Sequence, residues 1–444
     1  LGADGVATQI ADQVAAPSHS GVVTFDSDNY KTADTVVVTL DDQDLNTDSD
    51  LIDVYVTRSD DKVGNFGQSG ASGSDHIMDI TFDDTLWDGL SDQSFTIVET
   101  GVDSGIFVGS FQIPSGQTGK DIEVNYNDHR DASGETIEVG AGAAVNANTG
   151  SVAFDRTVYP VPWGNDTSNT RFAEHATASD ARGASSSTAN ALAEGKVTVH
   201  VRVTDADYDI SATGEDVISD SSVVLKIERG SNSTTIATVG DSVANQIVEV
   251  TPDSGVFEYD HEVAYTNGPT NGCPSAFAAL TAANGCVLQG DIITVTYTDN
   301  ADASGQTQTV TDSATFDLRN GVLQSDKSVY LVGSDMILTL IEPDFDRDND
   351  GAESYTLDLI EWDSDAATTS MGDQGVTGAA AAFDPEPSKL RETGDSTGIF
   401  QVVIEIPDTL DSNKLDRGEK IDLEYTDWGP AGADYVGQED EDIG

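Results

Sequence analysis

The 444-residue chain carries 80 Asp and Glu against 20 Lys and Arg, for a formal net charge of −60. That excess excludes nucleic acid as a partner, because phosphate binding needs Lys and Arg. A 37% hydrophobic content, 42 Gly and regular Val/Ile alternation argue against simple disorder, and no run of about 18 apolar residues is present to span a membrane.

Length suggests two to four domains, and internal repetition makes them three copies of one plan. The opening Leu1, with no Met or apolar signal segment, reads as a processed or partial product. Residues 1–19 read as an N-terminal linker or strand. Repeat one, residues 20–149, opens on Phe25 to Tyr30, continues in the apolar strand Val36 to Leu40, and then places Asp42, Asp44 and Asn46 two apart. It goes on through ETGVDSGIF (Glu99 to Phe107) and ends on Gly119, Tyr126 and Asp128. The small-residue stretch Ala141 to Gly150 reads as a linker.

Repeat two, residues 150–318, has the same order: Phe154 to Tyr159, the strand Val197 to Val203, then Asp205, Asp207 and Asp209. EVTPDSGVF (Glu249 to Phe257) and Gly290, Tyr297 and Asp299 follow. An Ala/Ser/Thr-rich insertion, roughly 167–194, reads as a surface loop. Cys273 and Cys286 are either two buried thiols or one local disulfide; the surrounding Gly, Pro and Asn favour the disulfide, and with it an oxidising, extracytoplasmic setting. The triplets at Asn165 and Asn232 fit N-glycosylation in that compartment. Phe316 to Gly321 reads as the second junction.

Repeat three, residues 319–444, runs from Gln324 to Tyr330, through Ile337 to Leu340, to Glu342, Asp344 and Asp346. It continues DRDNDG from Asp346, so that Asp348 and Asp350 precede Gly351. This matches the first half of an EF-hand calcium loop, but the twelfth position is Leu357 rather than a bidentate Glu. ETGDSTGIF (Glu392 to Phe400) and Gly418, Tyr425 and Asp427 close the repeat. The Glu-to-Phe spacing is eight in all three copies.

Strict alternation, as in Ile122 to Tyr126, marks half-buried strands. Short strands between Gly/Asp/Asn turns predict an all-β chain of tandem immunoglobulin-like β-sandwiches. With the Val-rich strand second, the Phe-led strand fifth and the Tyr-ended strand sixth, their acids meet at one pole. The expected groups are Asp42, Asp44, Glu99, Asp103 and Asp128; Asp205, Asp207, Glu249, Asp253 and Asp299; and Glu342, Asp344, Glu392, Asp395 and Asp427. Close carboxylates need a cation or shifted pKa values, and hard oxygen ligands without clustered His or Cys favour Ca2+. The bland alternative is solvated loop Asp at turns. No nucleophile elbow, P-loop or HExxH is present, and the carboxylates are too numerous for a glycosidase pair. The chain is therefore not expected to be an enzyme.

The ETGVDSGIF and ETGDSTGIF runs, with YTDNADASG from Tyr297 to Gly305, resemble repeats of surface-layer proteins of ammonia-oxidising archaea. The resemblance covers about Gly21 to Gly437. It implies a secreted, glycosylated protein at the cell surface that assembles with itself into a porous two-dimensional lattice, hexameric units being one option, with ammonium and other small cations passing through. A pore lined by one sign of charge would favour such cations. A calcium-dependent adhesin or glycan-binding array, and the non-catalytic part of a secreted hydrolase, are the competing readings.

Overall fold

The computed structural model of the chain describes residues 17–57, 77–87, 95–163, 195–211, 213–240, 246–263, 287–372, 382–436, 438–439 and 441–444. The insertion of repeat two, both cysteines and Asn165 lie outside these residues. By compactness the chain forms two units: Leu1–Thr149 with Ala206–Gly214 and Asp299–Gln308, and Gly150–Asp205 with Glu215–Thr298 and Thr309–Gly444.

Repeat one supplies β1 (Val22–Phe25), β2 (Asn29–Tyr30), β3 (Thr35–Asp41), β4 (Val54–Val56), β5 (Met78–Phe82), β6 (Thr85–Leu86), β7 (Thr96–Glu99), β8 (Ile106–Gln112), β9 (Asp121–Asp128) and β10 (Ile137–Val145). Repeat two supplies β11 (Ser151–Phe154), β12 (Val158–Pro160), β13 (Val197–Thr204), β14 (Val217–Ile218), β15 (Val223–Arg229), β16 (Asn232–Val239), β17 (Ile247–Glu249), β18 (Val256–Val263), β19 (Ile292–Asp299) and β20 (Gln308–Asp317). Repeat three supplies β21 (Val322–Ser325), β22 (Asp335–Ile341), β23 (Ser354–Tyr355), β24 (Ile360–Asp363), β25 (Thr368–Ser370), β26 (Glu386–Glu392), β27 (Ile399–Glu405), β28 (Thr409–Leu410), β29 (Asn413–Lys414), β30 (Asp422–Asp427) and β31 (Glu441–Ile443).

The sheets of repeat one are ordered β1-β3-β8-β7-β4 and β2-β10-β9-β5-β6, and those of repeat two follow the same order with every number raised by ten. Repeat three keeps the first sheet as β21-β22-β27-β26-β23, but its second is only β25-β24-β30-β31. The chain is therefore an all-β series of immunoglobulin-like sandwiches. There is no α-helix among the described residues, and no described helix is long and apolar enough to cross a membrane.

Alternation builds each core. In β3 the side chains of Val36, Val38 and Leu40 are fully buried, and so are Ile122 and Val124 on the facing β9. Each such side chain contributes about 1.5–3 kcal/mol through removal from water, so a charge at Val38 would break the sandwich. Two sequence expectations are corrected here. Ala141 to Val145 belong to β10 rather than to a linker, with Ala141 opposite Val124 and Ala143 opposite Ile122. Phe316 and Asp317 are the last residues of β20, Phe316 fully buried, so the second junction narrows to Leu318 to Gly321 before β21. Small or isolated side chains look like linker by composition, but strand pairing is made by the backbone.

Candidate functional site: the acidic pole of each repeat

The ends of the second and sixth long strands meet at one pole because these strands run antiparallel to their neighbours. In repeat one Asp41, at the end of β3, pairs with Ile106, at the start of β8. One step on, Asp42 accepts a 2.5 Å hydrogen bond from the Tyr126 hydroxyl of β9. The same bond recurs as Tyr297 to Asp205 and as Tyr425 to Glu342, the latter at 2.9 Å. Burial pushes the Asp42 and Glu342 carboxyls up, and for Glu342 the neighbouring Asp344 adds to the rise.

These acids receive the chain as it enters each sandwich. Backbone N–H groups of His19, Asn148 and Arg319 donate to Asp44, Asp207 and Asp344 at 3.0, 3.0 and 2.8 Å. Two residues later Gly21 and Gly321 donate to Asp128 and Asp427 at 2.9 and 3.0 Å. Asp128, Asp299 and Asp427 also each accept the N–H two residues on, closing the turn after the sixth strand. Only glycine fits the point of arrival: a Cβ at Gly21 would lie 2.4 Å from the Tyr126 ring, at Gly150 2.5 Å from Tyr297, and at Gly321 2.6 Å from Glu342 Oε2.

The repeated glutamate locks the loop that follows it. Glu99 accepts from the N–H groups of Ser104 and Gly105 on one oxygen and of Asp53 on the other, at 2.8, 2.9 and 3.2 Å. Glu249 holds Ser254, Gly255 and Asp216 in the same way, and Glu392 holds Thr397, Gly398 and Glu353. Gly105, Gly255 and Gly398 adopt φ near +60°, which explains the glycine six residues after each Glu. The N–H of Gly105 is the leading cause holding the Glu99 carboxyl low.

The third acid of each run separates the repeats. Asn46 donates its amide to Asp103 at 2.8 Å. Asp346 instead lies with Glu353 and Glu392, one carboxylate oxygen of each within 4.8 Å of the others. Burial, and then a hydrogen bond with Glu392, push the Glu353 carboxyl up to about 8. Its Oε2 is buried with no hydrogen-bond partner among the described residues. Three hard oxygens fit Ca2+ in type, but Arg156 Nη2 lies 3.3 Å from Asp346 and competes for the same charge.

The DxDxDG loop does not gather its carboxylates on one point. Asp344 faces Arg319, Asp346 faces Arg156, and Asp348 Oδ1 lies 3.0 Å from His200 Nε2. The other His200 nitrogen is 2.7 Å from Asp260. Burial lowers the affinity of His200 for a proton, but the bonds to Asp260 and Asp348 outweigh it and raise its pKa. His200, Glu258 and Asp350 also offer ligand atoms within 4.8 Å of one another. Arg347 completes this docking: its carbonyl accepts from Thr198 N–H, and its guanidinium stacks over Trp163 and Tyr355.

Of the remaining expected ligands, Asp253 and Asp395 are exposed loop residues and Asp209 is half-buried. Asn232 is exposed as the first residue of β16, opposite Arg229 of β15. Sequence reasoning missed the three glycines, which recur visibly before each opening strand. It also missed Glu353, His200, Asp260 and Arg156, whose roles no spacing announces because they come from other loops or another repeat.

No known family matches the chain, and no curated protein does. Among solved structures it is similar to one described as "FdeC, a Novel Broadly Conserved Escherichia coli Adhesin Eliciting Protection against Urinary Tract Infections". That likeness covers 97% of this chain and 99% of the other, at 11% identity and a TM-score of 0.17. The fold assignment rests on the strand pairing itself.

Proposed function

We propose that the chain is an architectural protein of the cell exterior, a series of acidic sandwiches that assembles into a porous, cation-attracting surface layer. The observation that carries this reading is the thrice-repeated pole, whose acids hold the entering backbone and so fix each sandwich to its own leader. Such acids stiffen a chain rather than turn over a substrate. The remaining charge lies outward, where a net −60 makes like subunits repel until cations screen or bridge them. Ca2+ is the proposed bridging and stabilising ion, with Asp346, Glu353 and Glu392 as its best-placed ligands. Openings lined by such subunits would pass ammonium and other small cations more readily than anions.

Electron microscopy of the purified chain, with and without millimolar Ca2+ at constant ionic strength, tests the reading. Ordered sheets that form with the ion and dissolve on chelation are expected, with a higher melting temperature in the ion-bound state. A chain that stays dispersed in Ca2+ but binds cells or glycans through it would overturn the lattice in favour of an adhesin.

A further inference from the structure

The outer face of the first sheet of repeat two carries a histidine among carboxylates. In β13 the core side takes Val199, Val201 and Val203, so His200 and Arg202 point outward. On the paired β18, Asp260 stands opposite His200 and Glu258 opposite Arg202. Strand pairing alone therefore sets His200, Glu258 and Asp260 side by side. His200 is nevertheless buried, its side chain only 5% exposed, because the DRDNDG loop of repeat three lies over it. The Thr198 N–H, given to the Arg347 carbonyl at 2.9 Å, holds that loop in place, and the loop adds Asp348 and Asp350 to the group.

The two ring nitrogens have unequal surroundings. Nε2 meets Asp348 Oδ1 at 3.0 Å. Nδ1 meets Asp260 Oδ1 at 2.7 Å and Asp350 Oδ2 at 3.7 Å, and Glu258 brings a further oxygen to the cluster. A neutral imidazole has one N–H and one lone pair. With the N–H given to Asp348, the Nδ1 lone pair points at carboxylates, which is repulsive until a positive centre stands between them. A proton is one such centre and a metal ion is another.

The rest of the site suits the ion. A ligating histidine characteristically gives its second N–H to a carboxylate, which fixes ring and tautomer. Asp348 holds that position, and its Oδ1 is itself oriented by the Asp350 N–H at 3.1 Å. Ligands about 2.0–2.1 Å from a tetrahedral ion stand about 3.3 Å apart, and the 2.7 and 3.7 Å separations at Nδ1 bracket that value. Both bonds from Arg202 to Glu258, at 3.0 and 2.6 Å, fall on Oε2 and leave Oε1 to the ion. Solvent gives access, since the side chains of Asp260 and Asp350 are 59% and 68% exposed. Nitrogen among the donors disfavours Ca2+, which takes oxygen, and favours Zn2+ and its first-row neighbours.

We infer that His200 Nδ1, Glu258, Asp260 and Asp350 form a site for a divalent transition-metal ion of the Zn2+ class, with Asp348 positioning the histidine. Two sandwiches supply the ligands, so the ion ties repeat three to repeat two. The DRDNDG run then serves as half of a clamp between repeats rather than as a calcium loop. The site goes beyond the surface-layer reading and is independent of it, sharing no ligand with Asp346, Glu353 and Glu392.

The test strips the full chain with chelator, saturates it with Ca2+ to occupy sites for hard cations, and titrates it with Zn2+ by calorimetry. One Zn2+ per chain should bind in a distinct step, and the unfolding of repeats two and three should move up in temperature with it. His200→Gln should abolish the step. Asp350→Asn, on an exposed side chain that spares folding, should weaken it at least tenfold. Asp348→Asn should weaken it about 10–100-fold through the orientation of the ring. Co2+ in place of Zn2+ should show the visible bands of a four-coordinate site, altered in Asp348→Asn and lost in His200→Gln. Absence of a one-to-one step, or a step that His200→Gln or Asp350→Asn leaves unchanged, would overturn the inference. Ordered sheets in Ca2+ under those outcomes would leave the proposed function standing.

Discussion

The poles of repeats one and three share a scaffold and differ in electrostatic state. Both use a tyrosine from the sixth strand, a glutamate that locks the loop after it, and a glycine where the chain arrives. In repeat one the third acid is replaced by Asn46, and Asp53 lies near the surface, where burial works against ionisation but the N–H groups of Thr47 and Asp48 prevail and lower its pKa. In repeat three the matching Asp346 and Glu353 are both pushed up, by burial first. The cause is cover: Arg156, Trp163 and His200 of repeat two close over this pole, whereas Asp53 keeps its solvent. One loop plan thus gives a carboxyl pulled down where backbone N–H groups prevail and carboxyls pushed up where burial prevails.

The largest break in this comparison should come from the shared lock. Glu392→Ala orphans three backbone N–H groups, at a cost of about 3 kcal/mol, and calorimetry should show repeat three unfolding at a lower temperature. Glu99→Ala should lower the transition of repeat one in the same direction, because the lock does not depend on cover.

A smaller effect should separate the poles. Gly321→Ala drives a methyl group against the fully buried Tyr425 and Glu342 and should cost about 1–3 kcal/mol by overpacking. Gly21→Ala should cost less if the Tyr126 ring can shift towards solvent. Equal losses in denaturant titrations would mean that the two sites are equally rigid.

The mildest test is pH. Glu353 holds its proton up to about 8 in the fold but only to about 4.3 when unfolded, so between these values the folded chain binds the extra proton. Stability of repeat three should therefore rise as pH falls from 8 towards 5, and Glu353→Gln should flatten that slope. His200 adds in the same sense: its raised pKa stabilises fully below about 6.5, and the contribution is lost as pH rises through the folded value. Asp53, with a lowered pKa, works oppositely, stabilising repeat one above about pH 3.9 and failing as pH falls through its folded value. Thermal scans from pH 4 to 8 that show parallel trends for both repeats would contradict the difference in cover.

What the sequence determined by itself was the scaffold. The alternation of Ile122 to Tyr126, the eight-residue step from Glu99 to Phe107 and the acids after each Val-rich strand imply antiparallel strands whose ends share a pole, because side-chain direction in a strand is set by parity. The repeats carried that argument three times. Tertiary structure decided what each acid does. Asp348 reads as a calcium ligand within DRDNDG, yet it faces His200, which stands in another repeat, and Glu353 acquires its high pKa from burial and from the Glu392 carboxylate that the fold sets beside it. Parity is a local property of the backbone. Burial and charge pairing depend on which surfaces meet, and residues more than a hundred positions apart leave no spacing in the chain to announce it.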